Sequence, residues 1–307
     1  MTAHHVAVPA SETVHQLAEG PFWDAARHRL LWVDVDAGRV HQGSLTGGTV
    51  HETGAVEVDR TVGAVVPDAQ GRLLVAGTRA LHVVETDGRV RPAVHVLPDG
   101  VRSRLNDGAC DPAGRFVVGS MALDDRTGQE RLVVVHDATD LRPLDEDLTL
   151  SNGLAWTADG RRLYSTDTTS GTIYVRDYDP ATGTAGPRSV QLQVTDGSPD
   201  GMCLDANGDL WVAVWGAGEV RCHAAADGSL LATVSVDAPH TSSVAFAGPD
   251  LDVLVVTTGS SQLTPEQAAA HPDSGRLFTA DVGVQGAEVP GWDAVSHPVL
   301  VPAGPPV

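Results

Sequence analysis

Asp111-Pro-Ala-Gly114-Arg115-Phe-Val-Val-Gly-Ser120 decides the fold, because variants of it recur along the chain at a nearly fixed interval. Asp68-Ala-Gln-Gly71-Arg72, Thr157-Ala-Asp-Gly160-Arg161 and Asp205-Ala-Asn-Gly208-Asp209 repeat the turn, each leading into a short β-rich run. Looser copies stand at Asp24-Ala-Ala-Arg27 and Gly248-Pro-Asp250. Taking positions 27, 71, 114, 160, 208 and 250 as equivalent gives spacings of 44, 43, 46, 48 and 42 residues. Glycine at that place suits the positive φ that a tight hairpin demands.

A second signal follows in each unit: Gly38-Arg-Val, Ala80-Leu-His-Val-Val, Arg131-Leu-Val-Val-Val, Gly171-Thr-Ile-Tyr-Val, Gly218-Glu-Val and Gly275-Arg-Leu-Phe. Two hairpins in roughly 45 residues are the arithmetic of a four-stranded propeller blade. Six such units occupy nearly all of the 307 residues. The expected fold is all-β: one six-bladed β-propeller domain over 1–307, with antiparallel blades around a central channel. The one stretch with helical character, Leu263-Thr-Pro-Glu-Gln-Ala-Ala-Ala, predicts a turn or two of helix in a loop of the sixth unit.

Composition narrows the chemistry. All 20 basic residues are arginine, so Schiff-base lysine chemistry, a Ser-x-x-Lys nucleophile and a P-loop are excluded. The net charge of −20 is spread along the chain, the reverse of what a phosphate backbone attracts, so no nucleic-acid partner is expected. No apolar run reaches the roughly 18–20 residues of a membrane span, so no membrane association is expected. The N-terminus lacks the basic and apolar regions of a secretory signal. Cys110, Cys203 and Cys222 are too few and too far apart for a disulfide framework. These features predict a cytoplasmic protein, expected to be a monomer because a closed ring of blades needs no partner. No His-Glu-x-x-His or Gly-x-Ser-x-Gly motif is present, and the Asp205 turn lacks the later glutamate of an EF-hand.

The polar residues keep register within the repeat. Glu19, Asn106, Asn152 and Asp200 each lie eight residues before their unit's turn position. Equal register in a propeller means equal height, so these side chains are expected to converge on the channel at one level. Gly63 and Ser242, at the same register in units 2 and 6, leave space. Converging carboxylates and carboxamides are hard oxygen donors for one divalent cation. Hydrogen bonding to trapped water is the alternative use of such residues. Two residues upstream, Arg104 and His240 are expected nearer the mouth. Arg104 can fork onto a carboxylate or a hydroxylated substrate, and His240 is either a second base or a polar wall.

At these residues the chain resembles the regucalcin/gluconolactonase (senescence marker protein type) family, metal-dependent six-bladed propellers acting on sugar lactones. The resemblance rests on Ala18-Glu-Gly-Pro-Phe-Trp23, Arg104-Leu-Asn-Asp-Gly108, Ser151-Asn-Gly-Leu-Ala-Trp156, Pro199-Asp-Gly-Met-Cys-Leu-Asp205 and Gly283-Val-Gln-Gly286. It implies that Glu19, Asn152 and Asp200 hold one divalent metal cation (Ca²⁺, Mg²⁺, Mn²⁺, Zn²⁺ or Fe²⁺), with Asp200 also the proton acceptor. It further implies that Arg104 and Asn106 bind substrate, joined by an acidic residue that falls on Asp124. Asp124 departs from the glutamate often found there and is one methylene shorter. The expected activity is hydrolysis of a sugar lactone to an aldonic acid. Competing expectations are a phosphotriesterase, a biosynthetic enzyme recruited on the same scaffold, and a non-catalytic cation- or metabolite-binding protein.

Overall fold

A computed structural model describes residues 2–300 and contains six antiparallel sheets arranged as propeller blades. The innermost strands are Ala18–Asp24, Ala64–Pro67, Ser103–Cys110, Ser151–Trp156, Ser198–Leu204 and Thr241–Ala247, one from each repeat. Each runs directly into the second strand of its blade through the repeated turn, and neighbouring innermost strands touch all round the ring.

The turn has a physical explanation that recurs. The Asp111 carboxylate accepts hydrogen bonds from the Ala113 and Arg115 amides at 2.9 Å, and Arg115 Nε donates back to it at 2.7 Å. Asp68 does the same for Gln70 and Arg72, and Asp205 for Asn207 and Asp209. An aspartate that caps its own turn lets the following glycine take the left-handed conformation, seen at Gly71, Gly114 and Gly208; before Gly160, also left-handed, the Thr157 hydroxyl accepts from the Arg162 amide instead. The two looser copies differ from expectation. There the left-handed residues are His28, and Gly248 with Leu251, rather than Arg27 and Asp250.

Both faces of every blade are covered by the next blade, so the second strands are buried at nearly every position, as in Arg29–Asp34 and Leu210–Trp215. That is why runs such as Leu-Leu-Trp-Val do not alternate with polar residues. The core is accordingly six clusters, one between each pair of neighbouring blades. Trp32 fills the seam between blades 6 and 1, and Phe278 that between blades 5 and 6. The three cysteines are free and buried.

Ring closure uses the N-terminus in a way that the repeat does not foreshadow. Val8–Pro9 pairs with Phe278–Ala280 and supplies the outermost strand of blade 6. Just before it, Ala3–Val6 adds a parallel fifth strand to the edge of blade 5. The predicted helix is Pro265–Ala270, capped by Thr264 and Gln267. Among the described residues no helix is long and apolar enough to cross a membrane.

Adjacent innermost strands approach so closely near the site register that Gly63 and Gly153 have no room for a side chain. A Cβ on Gly63 would lie 1.8 Å from the Asn106 carbonyl oxygen, and one on Gly153 would lie 2.6 Å from that of Asp200. Gly153→Ala is therefore expected to cost about 1–3 kcal/mol by overpacking and to push apart the strands carrying Asn152 and Asp200. Urea melts with and without added cation check this: the cation-dependent share of stability should shrink.

Candidate metal centre

In five of the six innermost strands, pairing to the second strand slips at the predicted site register. The irregularities fall between Glu19 and Phe22, Leu105 and Gly108, Asn152 and Leu154, Pro199 and Met202, and Thr241 and Ser243. Such bulges leave a residue unpaired and re-aim its side chain. In blade 2 the strand starts after Gly63 and pairs regularly. The same local fault, repeated around the ring, brings the three strands close enough for Asp200 to feel the charge of Glu19 and a hydrogen bond from Asn152.

All three are buried, at 9%, 4% and 5% exposure. Two of their oxygens, Asn152 Oδ1 and Asp200 Oδ1, are fully enclosed and have no hydrogen-bond partner. A buried acceptor without a donor is costly unless something positive meets it. Asn152 Nδ2 donates to Thr168 Oγ1 at 3.1 Å, which fixes its amide with the oxygen on the free side. One carboxylate oxygen of Glu19 accepts from the Gly20 amide at 2.9 Å.

Asn106 behaves differently from the other three. Its Oδ1 accepts from Arg104 Nη1 at 2.7 Å, and its Nδ2 donates to the Ser151 carbonyl at 2.9 Å. It braces blade 3 to blade 4 and holds Arg104 at the mouth. The bulge that follows it also turns Asp107 inward, a residue the repeat register does not single out. Asp107 makes itself felt through charge: with burial first and Asp107 second, the Glu19 carboxyl is pushed up to about 8. Asp107 itself rises to about 6 through burial, partly offset by the Gly108 amide. Burial, then Glu19 and Asp107, drive Asp200 well above the usual carboxylate range, with Arg104 and Asn152 offsetting part of it. Arg104 is the positive group in this cluster. Burial lowers its pKa, while Asp36, Glu19 and Asp200 favour its charge.

Three carboxylates outweigh the one arginine, and that surplus with the two orphaned oxygens fits a divalent cation of the hard, oxygen-seeking kind. The cation-free protein is expected to lose stability as pH rises from about 5 to about 8. Unfolded glutamate releases its proton near pH ~4.3, whereas folded Glu19 keeps it to about 8. Across that window the folded state binds more protons, so raising pH favours unfolding. Thermal melts in chelator should show Tm falling on the order of 5 °C over this range, and a divalent cation should abolish the fall. A flat profile in chelator would show that these carboxylates do not oppose one another.

The remaining predicted residues lie on the same side of the ring. Asp124 sits in the loop after Phe116–Ala122, whose Met121 pairs with Arg104, and it contacts Arg126 Nη1 at 3.5 Å. His240 directly precedes Thr241–Ala247; its Nδ1 faces the Ser261 carbonyl at 3.0 Å. Its ring stacks on Trp215, centroids 4.1 Å apart and 9° from parallel. Trp215, Asp107 and Asp36 do not share the register of the four aligned polar residues, so the repeat does not mark them.

A second group that could hold an ion is His15, Asp34 and His41 in blade 1, with ligand-type atoms within 4.8 Å of one another. Most of its polar atoms are already engaged. His15 Nε2 accepts from Trp32 Nε1 at 3.1 Å, Asp34 accepts from the Gln16 and Leu17 amides, and His41 Nδ1 meets Glu52 at 2.9 Å. Because Trp32 donates to Nε2, the His15 proton sits on Nδ1 facing Asp34, which closes that side to a metal. Asp167 accepts the Thr149 and Leu150 amides in blade 4 as Asp34 does in blade 1, so the aspartate's role is structural.

Residues 17–260 match the family model described as SMP-30/Gluconolactonase/LRE-like region. A pentonolactonase, XacC, of Haloferax volcanii is 34% identical over 285 residues, covering 90% of this chain and 94% of that protein. Regucalcin of Danio rerio is 31% identical, covering 89% and 93%. The crystal structure of a regucalcin from Agrobacterium tumefaciens superposes with a TM-score of 0.87 at 26% identity, covering 95% of this chain and 99% of that one. The bulged ring of Glu19, Asn152 and Asp200 lies inside the matched segment, and the chain belongs to the SMP-30/gluconolactonase/LRE-like family.

Proposed function

We propose that this protein hydrolyses sugar lactones with the help of one divalent cation held by Glu19, Asn152 and Asp200. The observation that carries the reading is the pair of enclosed, unpartnered oxygens on Asn152 and Asp200 beside a third donor, Glu19. The pentonolactonase relative supports the substrate class, and the Agrobacterium regucalcin is described as a calcium-binding protein.

When bound, the cation supplies Lewis-acid polarisation of the lactone carbonyl and charge for the oxyanion that develops there. The chain does the rest. Asp200, ionised once the charge of its neighbours is offset, accepts a proton from the attacking water and returns it to the ring oxygen as the C–O bond breaks. Arg104, steadied by Asn106, presents its remaining donors to substrate oxygens at the mouth. Asp124 and His240 line the approach and contact ring hydroxyls. Fixing the ring against these walls supplies orientation that free lactone lacks.

A chelated-and-restored assay tests the reading: aldonolactones against Ca²⁺, Mg²⁺, Mn²⁺, Zn²⁺ and Fe²⁺, with an organophosphate ester as the control substrate. Proton release should follow lactone addition only after a cation is restored. Turnover of the phosphotriester instead, or cation-induced stabilisation with no turnover at all, would overturn it.

A further inference from the structure

Trp215 ends the second strand of blade 5, yet its ring does not stay with its own blade. It lies flat on His240 at the head of blade 6, reaches Gly259, and packs against the blade 1 cluster that contains Leu17. A Cβ on Gly259 would meet the far edge of the indole at 3.4 Å and Leu17 Cδ1 at 3.1 Å, so glycine leaves the floor on which the ring rests. The indole therefore reaches from blade 5 onto blade 6, where the site register holds only the small Ser242. In a ring of six, blade 6 stands opposite blade 3, which carries Arg104 and Asn106.

His240 is held in one state. The Ser261 carbonyl can only accept, so the proton sits on Nδ1. Among the described residues nothing hydrogen-bonds Nε2, which is left with its lone pair. Burial lowers the pKa of the ring, so the neutral form holds at pH 7.

We infer that the Trp215–His240 stack is a hydrogen-bonding platform that makes this site specific for hydroxylated lactones. Trp215 holds the imidazole in one orientation from its face, and His240 Nε2 accepts from a ring hydroxyl remote from the carbonyl. This deepens the lactonase reading and rests on it. A stacked indole fixes the plane of the imidazole. A fixed acceptor rejects an analogue that brings no donor to it. Arg104, across the channel, offers only donors, so the two walls read opposite hydrogen-bonding roles and fix which way round the lactone lies.

The test compares a pentono-1,4-lactone with γ-butyrolactone, the same ring without hydroxyls, on cation-loaded protein. His240→Phe keeps a flat ring on Trp215 and removes the acceptor. It should raise KM for the pentonolactone about ten-fold, the worth of one hydrogen bond, with kcat within about two-fold and γ-butyrolactone unchanged. Trp215→Leu frees the imidazole and should raise KM for the pentonolactone by less than His240→Phe does, with γ-butyrolactone unchanged. His240→Gln, which offers an acceptor without the stack, should keep part of the discrimination between the two lactones. Equal effects of His240→Phe on the two substrates, or none on either, would overturn the platform. If the wild-type protein hydrolyses neither lactone, the lactonase reading fails separately. The platform is then judged by calorimetric titration with 1,4-anhydroxylitol, a ring polyol without a carbonyl. Weaker binding by His240→Phe than by wild type supports it, and equal or absent binding overturns it.

Discussion

Asp200→Asn should lower kcat by about 10³–10⁴-fold, the range expected when a general base is removed, while leaving the propeller folded. Asparagine keeps the shape of the side chain and an oxygen for the cation, so geometry and most of the cation site survive. What disappears is the ability to take a proton from water. The same substitution makes a second, opposite prediction. Asp200 is a buried carboxylate that burial, Glu19 and Asp107 all disfavour when ionised. Removing its charge should raise Tm of the chelated protein at pH 8 by a few degrees, about 1 kcal/mol or more. An enzyme that is more stable without cation and yet inactive with it cannot have lost activity by misfolding. Near-native kcat in cation-loaded Asp200→Asn would remove Asp200 from the role of base.

Glu19→Gln should act on cation affinity rather than on the chemical step. The glutamate contributes a formal charge to the donor set, where Asn152 contributes only a dipole. Loss of that charge should weaken cation binding about 100-fold, of the order seen when a metal site is impaired. Activity at micromolar cation should therefore vanish, and millimolar cation should restore most of it. Calorimetric titration with Ca²⁺ or Mn²⁺ would give the affinity directly. The pH-dependent loss of stability in chelator should flatten in this variant, because Glu19 holds the extra proton across that window. A cation affinity unchanged by Glu19→Gln would place the ion elsewhere in the channel.

The site was only partly legible from the chain. Glu19, Asn106, Asn152 and Asp200 stand out because blade register converts sequence spacing into height above the ring. The same reasoning gives the four equal status, and the structure separates them. Asn106 spends both ends of its amide on Arg104 and Ser151, whereas Asn152 Oδ1 and Asp200 Oδ1 are left open. Which amide is engaged depends on neighbours from other blades, and no local pattern records that. Asp107 escaped for a related reason. In a regular strand it would face away from Asn106, and only the bulge between Leu105 and Gly108 brings it to the channel. Trp215 is likewise hidden, since its partners His240, Gly259 and Leu17 come from blades 6 and 1.

The sequence by itself determined the ring. A capped hairpin turn repeated every 42–48 residues commits each unit to antiparallel strands, and unalternating apolar runs commit both faces of each blade to burial. Those are local facts of backbone conformation and side-chain polarity, so they can be read without coordinates. Tertiary structure alone decided how the ring closes, with Val8–Pro9 completing blade 6. It also decided which inward side chains keep a free oxygen and which ring stacks on His240. Each of these depends on contacts between residues far apart in the chain, whose free energies no repeat encodes.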